Sequence, residues 1–465
     1  PAAMSSETLP DHDLYQRPKN VVCLGAGLVS EPLVEFLSRD CNLSLQVVSG
    51  VPGQAQSLAD RLHRRNITAW TLDVMLDTAT VNTLITSADC VVSLLPASMH
   101  ASIAETCIRA RTHLVTASYV TDEMQGLHSR ALQAGVTILC EMGLDPGIDH
   151  MSAMQMIAKA KASGSTISSF SSWCGGLPSP EAANNPLRYK FSWSPQGTLS
   201  ALQSSARFRR NGNVVVVPAE QLLLSVEPVN FLPAFSLEAL PNRDSLRYAS
   251  LYGIAEAKTV FRGTLRYAGF ASIMNCIQKI GLLDSSPADA KLGVMEQRPR
   301  SWDDLMKSGL VQMDDSTSPD AIRCLQWLGV WSDKRLQLQK GWSLQQEFCK
   351  LLTDRLSYQA GERDVVVMHH EIGVVTNNGD AQTHMCTLVG YGKERGPTFM
   401  STAVGVTAAV GAKLLLSGEL SRSGVVHPTI PEVFEPALQM LQQEGIQWTH
   451  EQVTAGPIDQ DKGKL

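Results

Sequence analysis

Asn20-Val21-Val22-Cys23-Leu24-Gly25-Ala26-Gly27-Leu28-Val29-Ser30-Glu31-Pro32 is the stretch from which the fold is read. A short apolar run ends in Gly-Ala-Gly, and an amphipathic segment over 33–37 follows. That order predicts a buried β-strand, a tight turn and a helix N-terminus. Gly25 permits the turn, and Gly27 lets the backbone approach a pyrophosphate. The helix end would hold it with free N–H groups and a favourable dipole. Ser30 stands where a third glycine is usual, and its small side chain still allows close packing of helix on strand. Gly25, Gly27, Leu28, Val29 and Ser30 are therefore the expected dinucleotide contacts. The turn alone is a weak signal, because strand–turn–helix glycines also occur without a cofactor.

Its surroundings strengthen the reading. Strands are expected at 43–48, 67–74, 89–96, 112–117 and 136–141, separated by helix-length segments such as 55–65. This alternation implies right-handed crossovers and a Rossmann-type, doubly wound parallel sheet in an α/β protein. The glycine turn then lies at the carboxyl edge of the first strand, where such sheets bind ligands.

The chain has 465 residues, which calls for two or three domains. Hydrophobic residues at 44% and charged residues at 18% describe a folded globular protein. A net charge of −6, with no basic cluster among aromatics, argues against nucleic acid as a partner. The small-residue run at 403–416 is interrupted by Lys413, so no membrane span or membrane partner is expected. The 10 cysteines show no Cys-x-x-Cys spacing, which reads as reduced thiols in an intracellular compartment. His369 and His370 would point to opposite faces of a strand, and no metal site is expected.

Five segments are expected: a dinucleotide domain over 1–148, whose first 19 residues read as a loose lead-in; the first part of an α+β substrate and dimerisation domain over 149–270; a helical insertion over 271–357; the rest of the substrate domain over 358–395; and a C-terminal helical segment over 396–465. The insertion should hold helices at 271–283, 321–328 and 343–356. Strands at 166–173, 214–217, 262–267, 364–368 and 383–389 lack crossover helices, so the second sheet should be rich in antiparallel pairs. The small-residue helix at 400–416 should pack back on the first domain. Asp149 reads as an N-cap near the helix at 151–161. Asp145, between a strand end and a proline, should be held on the sheet rim.

Several motifs occur in order: Leu94-Leu95-Pro96, Thr116-Ala117-Ser118-Tyr119, Gly143-Leu144-Asp145-Pro146-Gly147-Ile148-Asp149-His150, Cys174-Gly175-Gly176-Leu177-Pro178, Asn185-Pro186-Leu187-Arg188-Tyr189-Lys190, Pro241-Asn242-Arg243-Asp244-Ser245 and Arg262-Gly263-Thr264-Leu265-Arg266-Tyr267. Together they resemble the glutamate-forming saccharopine dehydrogenase (saccharopine reductase) family. In some lineages that enzyme is the second half of a bifunctional aminoadipic semialdehyde synthase.

The resemblance implies oxidation of L-saccharopine at the lysine ε-carbon, with hydride passing to a nicotinamide. Imine hydrolysis then yields L-glutamate and 2-aminoadipate 6-semialdehyde. It implies Tyr119, Asp145 and Cys174 as the proton relay, although each also has a structural reading, Cys174 as a buried thiol. It implies Ser118, Tyr119, Arg243, Thr264, Leu265 and Arg266 as substrate contacts. The arginines suit carboxylates because the planar guanidinium meets them bidentately. Arg188, Lys190 and Arg262 are weaker candidates. Leu95, Pro96, Ala117, Leu144, Asp145 and Pro146 join the cofactor contacts.

Val48-Ser49-Gly50-Val51-Pro52-Gly53 offers neither an acid for a ribose nor an arginine for a 2′-phosphate. That favours NAD as cofactor. A homodimer, a fused or associated lysine-ketoglutarate reductase half, and a mitochondrial or cytoplasmic location are further expectations. Two other readings stay open: a dehydrogenase of another carboxylated secondary amine, such as carboxynorspermidine, and a catalytically silent dinucleotide-sensing scaffold.

Overall fold

The computed structural model describes residues 17–287, 299–313, 317–336 and 341–454. The lead-in expected over 1–19 lies, up to residue 16, outside the described residues.

The first sheet holds β1 (Lys19–Leu24), β2 (Leu43–Ser49), β3 (Ile67–Thr71), β4 (Cys90–Ser93), β5 (His113–Thr116) and β6 (Thr137–Leu139). The remaining strands are β7 (Thr166–Pro178), β8 (Ala206–Arg210), β9 (Asn213–Val217), β10 (Glu227–Pro228), β11 (Leu237–Pro241), β12 (Thr259–Tyr267), β13 (Asp364–Val375), β14 (Ala381–Tyr391), β15 (Gly424–Val426) and β16 (Thr449–Thr454). Of these only β15 joins the first sheet. Its order is β15-β6-β5-β4-β1-β2-β3, with every pair parallel. Helices cover both faces, so its strands are continuous apolar runs; Val21, Val22, Cys23 and Leu24 are all buried. β3 stops short of the expected 74 because the Asp73 carboxylate accepts the Met75 N–H at 2.8 Å and folds the chain into a turn.

The second sheet has the order β10-β11-β12-β7-β13-β14-β16, with β8 and β9 attached at β12. Its pairs are antiparallel except β7 with β12, which run parallel. β7 was expected to end at 173 but continues to Pro178. The Gly175-Gly176 pair that suggests a turn serves close approach instead. A Cβ on Gly175 would meet Leu265 Cβ at 2.7 Å, and one on Gly176 would meet Met400 Cε at 2.5 Å.

The insertion carries Phe270–Lys279, Trp302–Lys307, Pro319–Leu328 and Leu344–Arg355, the last opened by a Ser343 capping box. Its core joins Trp302 and Phe348 to Tyr189 and Phe191 from the preceding segment.

The segment after 396 is not helical throughout. It holds the helices Phe399–Ser417 and Pro431–Gln443, and it also adds β15 to the first sheet and β16 to the second. Phe399–Ser417 is long and apolar enough to cross a membrane, but most of it is buried against the helix Ser30–Ser38, β4, β5 and β13. Gly405 allows this, because its Cβ position is 2.6 Å from Val29 O and 2.9 Å from Leu33 N. The small-residue helix thus packs directly behind the glycine turn.

Candidate functional site

The turn after β1 suits a dinucleotide. Gly25 has φ +105, and Gly27 is exposed with open space where a Cβ would stand. Gly25 N donates to Val48 O at 2.8 Å, which draws the turn to the carboxyl ends of both strands. The next helix begins at Ser30, whose N–H donates back to Gly27 O at 3.2 Å, while Pro32 in the same turn has no N–H to offer. Ser30 is buried, and its hydroxyl has no partner among the described residues. Beside the turn runs a groove of about 420 Å³ bounded by Gly27, Leu28, Glu31, Gln54, Ser57, Arg61, Pro397 and Ser401. The backbone of Leu94 lies 3.3 Å from the Cβ position of Gly25, so Leu95 and Pro96 follow at the same edge. A Cβ on Gly143 would stand 3.3 Å from Ala117 Cβ, so the 143–146 segment, with Leu144 and Pro146, runs beside Ala117 at this rim.

Asp145 sits on that rim, joined to Pro146 by a cis peptide bond. Tyr119 donates its hydroxyl to Asp145 Oδ1 at 2.5 Å. Arg262, buried on β12, donates through Nη2 to both Asp145 and Asp149 and through Nη1 to Tyr248 OH at 2.5 Å. Burial drives the Tyr119 phenol well above its usual range; Arg262 opposes that shift, and Asp145 adds to it. Tyr119 is therefore neutral at ordinary pH. Arg243 has φ +47 and lies with its guanidinium 5.7 Å from the centre of the Tyr119 ring. Ser118 meets His100 Nε2 at 2.9 Å, whose other nitrogen meets Ser93 at 3.2 Å. Burial lowers the His100 pKa to about 4, so the neutral ring orients the Ser118 hydroxyl.

On β12, residues two apart share a face, so Arg262, Thr264 and Arg266 form a row about 13 Å long. Cys174 pairs with Thr264 on the neighbouring strand and so belongs to the same face. Burial, then the charges of Asp145 and Asp149, holds the Cys174 thiol well above its usual pKa. Arg266 is buried between the rings of Tyr189 (4.9 Å) and Phe270 (5.4 Å). Its Nη1 donates to Leu265 O at 2.6 Å, and its Nε has no partner among the described residues. Among the described residues no carboxylate lies in ion-pair range of Arg243 or Arg266.

Several expectations change. Cys174 lies inside β7, just past the strand end expected at 173. The Leu265 side chain leaves the Arg–Thr–Arg face and packs with Leu177, Val365 and Val367, so only its backbone reaches that face. Asp149 does not cap its helix from the N-cap position, which Gly147 occupies. Asp149 accepts the Gly147 N–H at 2.7 Å and pairs with Arg262. Arg262, ranked among the weaker candidates, is the hub of the cluster. Lys190 is committed to Glu362 at 2.8 Å, and Arg188 is exposed with φ +47. No local signal marks Arg262, because its carboxylates are more than 100 residues away in sequence.

Comparison with known proteins agrees across both domains. The family model of the saccharopine dehydrogenase NADP binding domain matches residues 21–139, and that of the saccharopine dehydrogenase C-terminal domain matches 143–446. A Bos taurus protein named alpha-aminoadipic semialdehyde synthase, mitochondrial, is 38% identical over 449 residues, covering 93% of this chain and 47% of that protein. The chain thus spans about half the length of such relatives. A Schizosaccharomyces pombe protein named saccharopine dehydrogenase (NADP(+), L-glutamate-forming) is 35% identical over 448 residues, covering 93% of this chain and 98% of that one. The solved apo saccharopine dehydrogenase (L-Glu forming) from Saccharomyces cerevisiae superposes with a TM-score of 0.82 at 32% identity, over 94% of this chain and 100% of that one. Matched in both domains and over nearly the full length of its yeast relatives, this chain belongs to the saccharopine dehydrogenase family.

Proposed function

We propose that this protein is an oxidoreductase of lysine metabolism that cleaves L-saccharopine oxidatively, with NAD and water, to L-glutamate and 2-aminoadipate 6-semialdehyde. The observation that carries the reading is the Tyr119–Asp145–Arg262 cluster set against a row ending in Arg266. A buried guanidinium whose Nε lacks an acceptor is unusual, since buried polar groups are nearly always paired. A substrate carboxylate would complete it with charge-assisted bonds.

The dinucleotide, when bound, supplies the hydride acceptor. The protein's own residues do the rest. Arg266 and Arg243 hold the substrate carboxylates and set the lysine ε-carbon at the carboxyl edge of the first sheet. Tyr119 and Asp145 take the proton from the secondary amine and then from the water that attacks the imine carbon. Arg262 keeps the Asp145 carboxylate against the Tyr119 hydroxyl. Cys174, kept protonated by burial, offers an S–H hydrogen-bond donor rather than a nucleophilic thiolate. The C–N bond to the lysine carbon breaks, the nitrogen leaves with glutamate, and one proton is released overall.

NAD rather than NADP is the proposed cofactor, although several relatives carry NADP(+) in their names. The support is local. The loop after β2 has no basic residue, and Arg61, which borders the groove, is held by Glu31 at 2.8 Å and by Ser57 at 3.0 Å. Steady-state oxidation of saccharopine with each cofactor, followed by absorbance of the reduced nicotinamide, tests the whole reading. Turnover with NAD at a kcat/KM well above that with NADP is expected. Comparable values would remove the NAD preference. Turnover with carboxynorspermidine but not saccharopine would move the assignment to that substrate, and turnover with neither would leave a sensing scaffold. A homodimer and a reductase partner stay proposals. Exposed Val214 and Val216 on the edge strand β9 support the first, which light scattering would check.

A further inference from the structure

Glu141 follows β6 and has φ +62, a backbone conformation that residues with side chains hold only where their surroundings demand it. Its carboxylate is buried. Four groups from four separate segments converge on it. Val120 N–H donates to Oε1 at 2.9 Å. His427 Nδ1 and His150 Nε2 lie 3.0 and 3.1 Å from Oε2, and Arg247 lies 3.7 Å from Oε1. The Glu141 backbone N–H also donates to Ser118 O at 3.2 Å. Glu141 thus grips residue 118 through its main chain and residue 120 through its side chain, with Tyr119 between them.

The same carboxylate reaches the other side of the cluster. The His150 ring lies 5.5 Å from the Tyr248 ring, and Tyr248 accepts from the Arg262 that holds Asp145. Neighbouring residues 247 and 248 therefore serve Glu141 and Arg262 respectively. A carboxylate needed only as a backbone acceptor would not require three cationic or ionisable partners, and a buried charge is costly unless so paired.

We infer that Glu141 is the positioning residue for Tyr119, fixing the phenol against Asp145 by clamping its loop to the helix and to the second domain. The inference rests on the proposed relay role of Tyr119. It is tested with Glu141→Gln, which keeps the shape and one acceptor but removes the charge, and with Glu141→Ala. A tenfold or greater fall in kcat is expected, with saccharopine KM and dinucleotide affinity within threefold of wild type. In the Tyr119→Phe background Glu141→Gln should add no further loss, since both act through one hydroxyl. Amide exchange across 118–120 should quicken at least threefold in Glu141→Gln and more in Glu141→Ala. Unchanged kcat, an equal loss in the Phe background, or unchanged exchange overturns the inference. If wild type does not oxidise saccharopine, the proposed function fails, and the exchange arm still decides whether Glu141 holds the loop. Should Glu141→Ala fail to fold, Glu141→Gln carries both measurements.

Discussion

Arg266 and Cys174 share one face of the second sheet, yet their chemistry is opposite. Arg266 is a buried cation whose protein partners are two rings and one carbonyl. A carboxylate bound there gains a charge-assisted contact of about 1.5–3 kcal/mol. Arg266→Ala or Arg243→Ala should therefore lower kcat/KM for saccharopine about 10- to 150-fold. Dinucleotide affinity should hardly move, because the glycine turn is on the other domain. Arg266→Lys should restore little, since an ammonium lacks the fork. Unchanged kinetics in both alanine variants would make the arginines structural. Cys174 is the reverse case, a thiol kept protonated by burial and by nearby carboxylates. Because the thiolate is the nucleophile, iodoacetamide at mildly alkaline pH should label exposed Cys41 and spare Cys174. Mass spectrometry of the labelled peptides checks this, and rapid labelling of Cys174 would contradict it.

At the scale of elements, the helix Phe399–Ser417 sets the position of the glycine turn. A Cβ on Gly405 would meet backbone atoms of Val29 and Leu33, which cannot move without shifting the turn. A Cβ on Gly411 would instead meet Met142 Cγ and Cε at 3.1 and 3.2 Å, the end of a flexible side chain, and Val115 Cγ1 at 3.2 Å. Gly405→Ala should thus cost about 1–3 kcal/mol through overpacking and weaken dinucleotide binding. Gly411→Ala should cost less and leave binding intact. Thermal denaturation and a fluorescence titration of the cofactor give the ranking, and the reverse order would refute it. The strand expected to end at 173 runs on through Gly175-Gly176 to Pro178 for a related reason. Glycine is used there, as at 405, for the close approach of another element, and sequence alone does not distinguish that use from a turn.

Across the whole molecule, the charges around Glu141 join the two sheets and give stability a pH dependence with two limbs. His150 and His427 draw the Glu141 carboxyl below its usual range, although burial alone would raise it. A depressed carboxyl stabilises fully above its unfolded value, about 4.3, and that contribution is lost as pH falls through the folded value. For His150, burial lowers the pKa, but Asp149 and Glu141 outweigh it against Arg262, and the result is raised. Its contribution is full below about pH 6.5 and is lost as pH rises through the folded value. Melting temperature against pH should therefore fall on both sides. Glu141→Gln should flatten the acid side, and His150→Gln the neutral-to-alkaline side. A profile in either variant that parallels wild type would show that these ion pairs do not set the stability.

Local pattern determined a great deal. The apolar runs and the Gly25-Ala26-Gly27 turn specify the parallel sheet and its ligand edge, because strand period and turn chemistry act over a few residues. The resemblance of the ordered motifs to a known family, rather than any local pattern, puts Tyr119, Asp145, Arg243 and Arg266 in candidate roles. The strands β10, β15 and β16 were not legible, since they are short or lie at sheet edges where neighbours decide pairing. The pairings of Arg262, Asp149 and Glu141 were decided only by tertiary structure. A buried charge is defined by its partners, and theirs come from the rim of one sheet, a strand of the other and the C-terminal segment, brought together only once both sheets have formed.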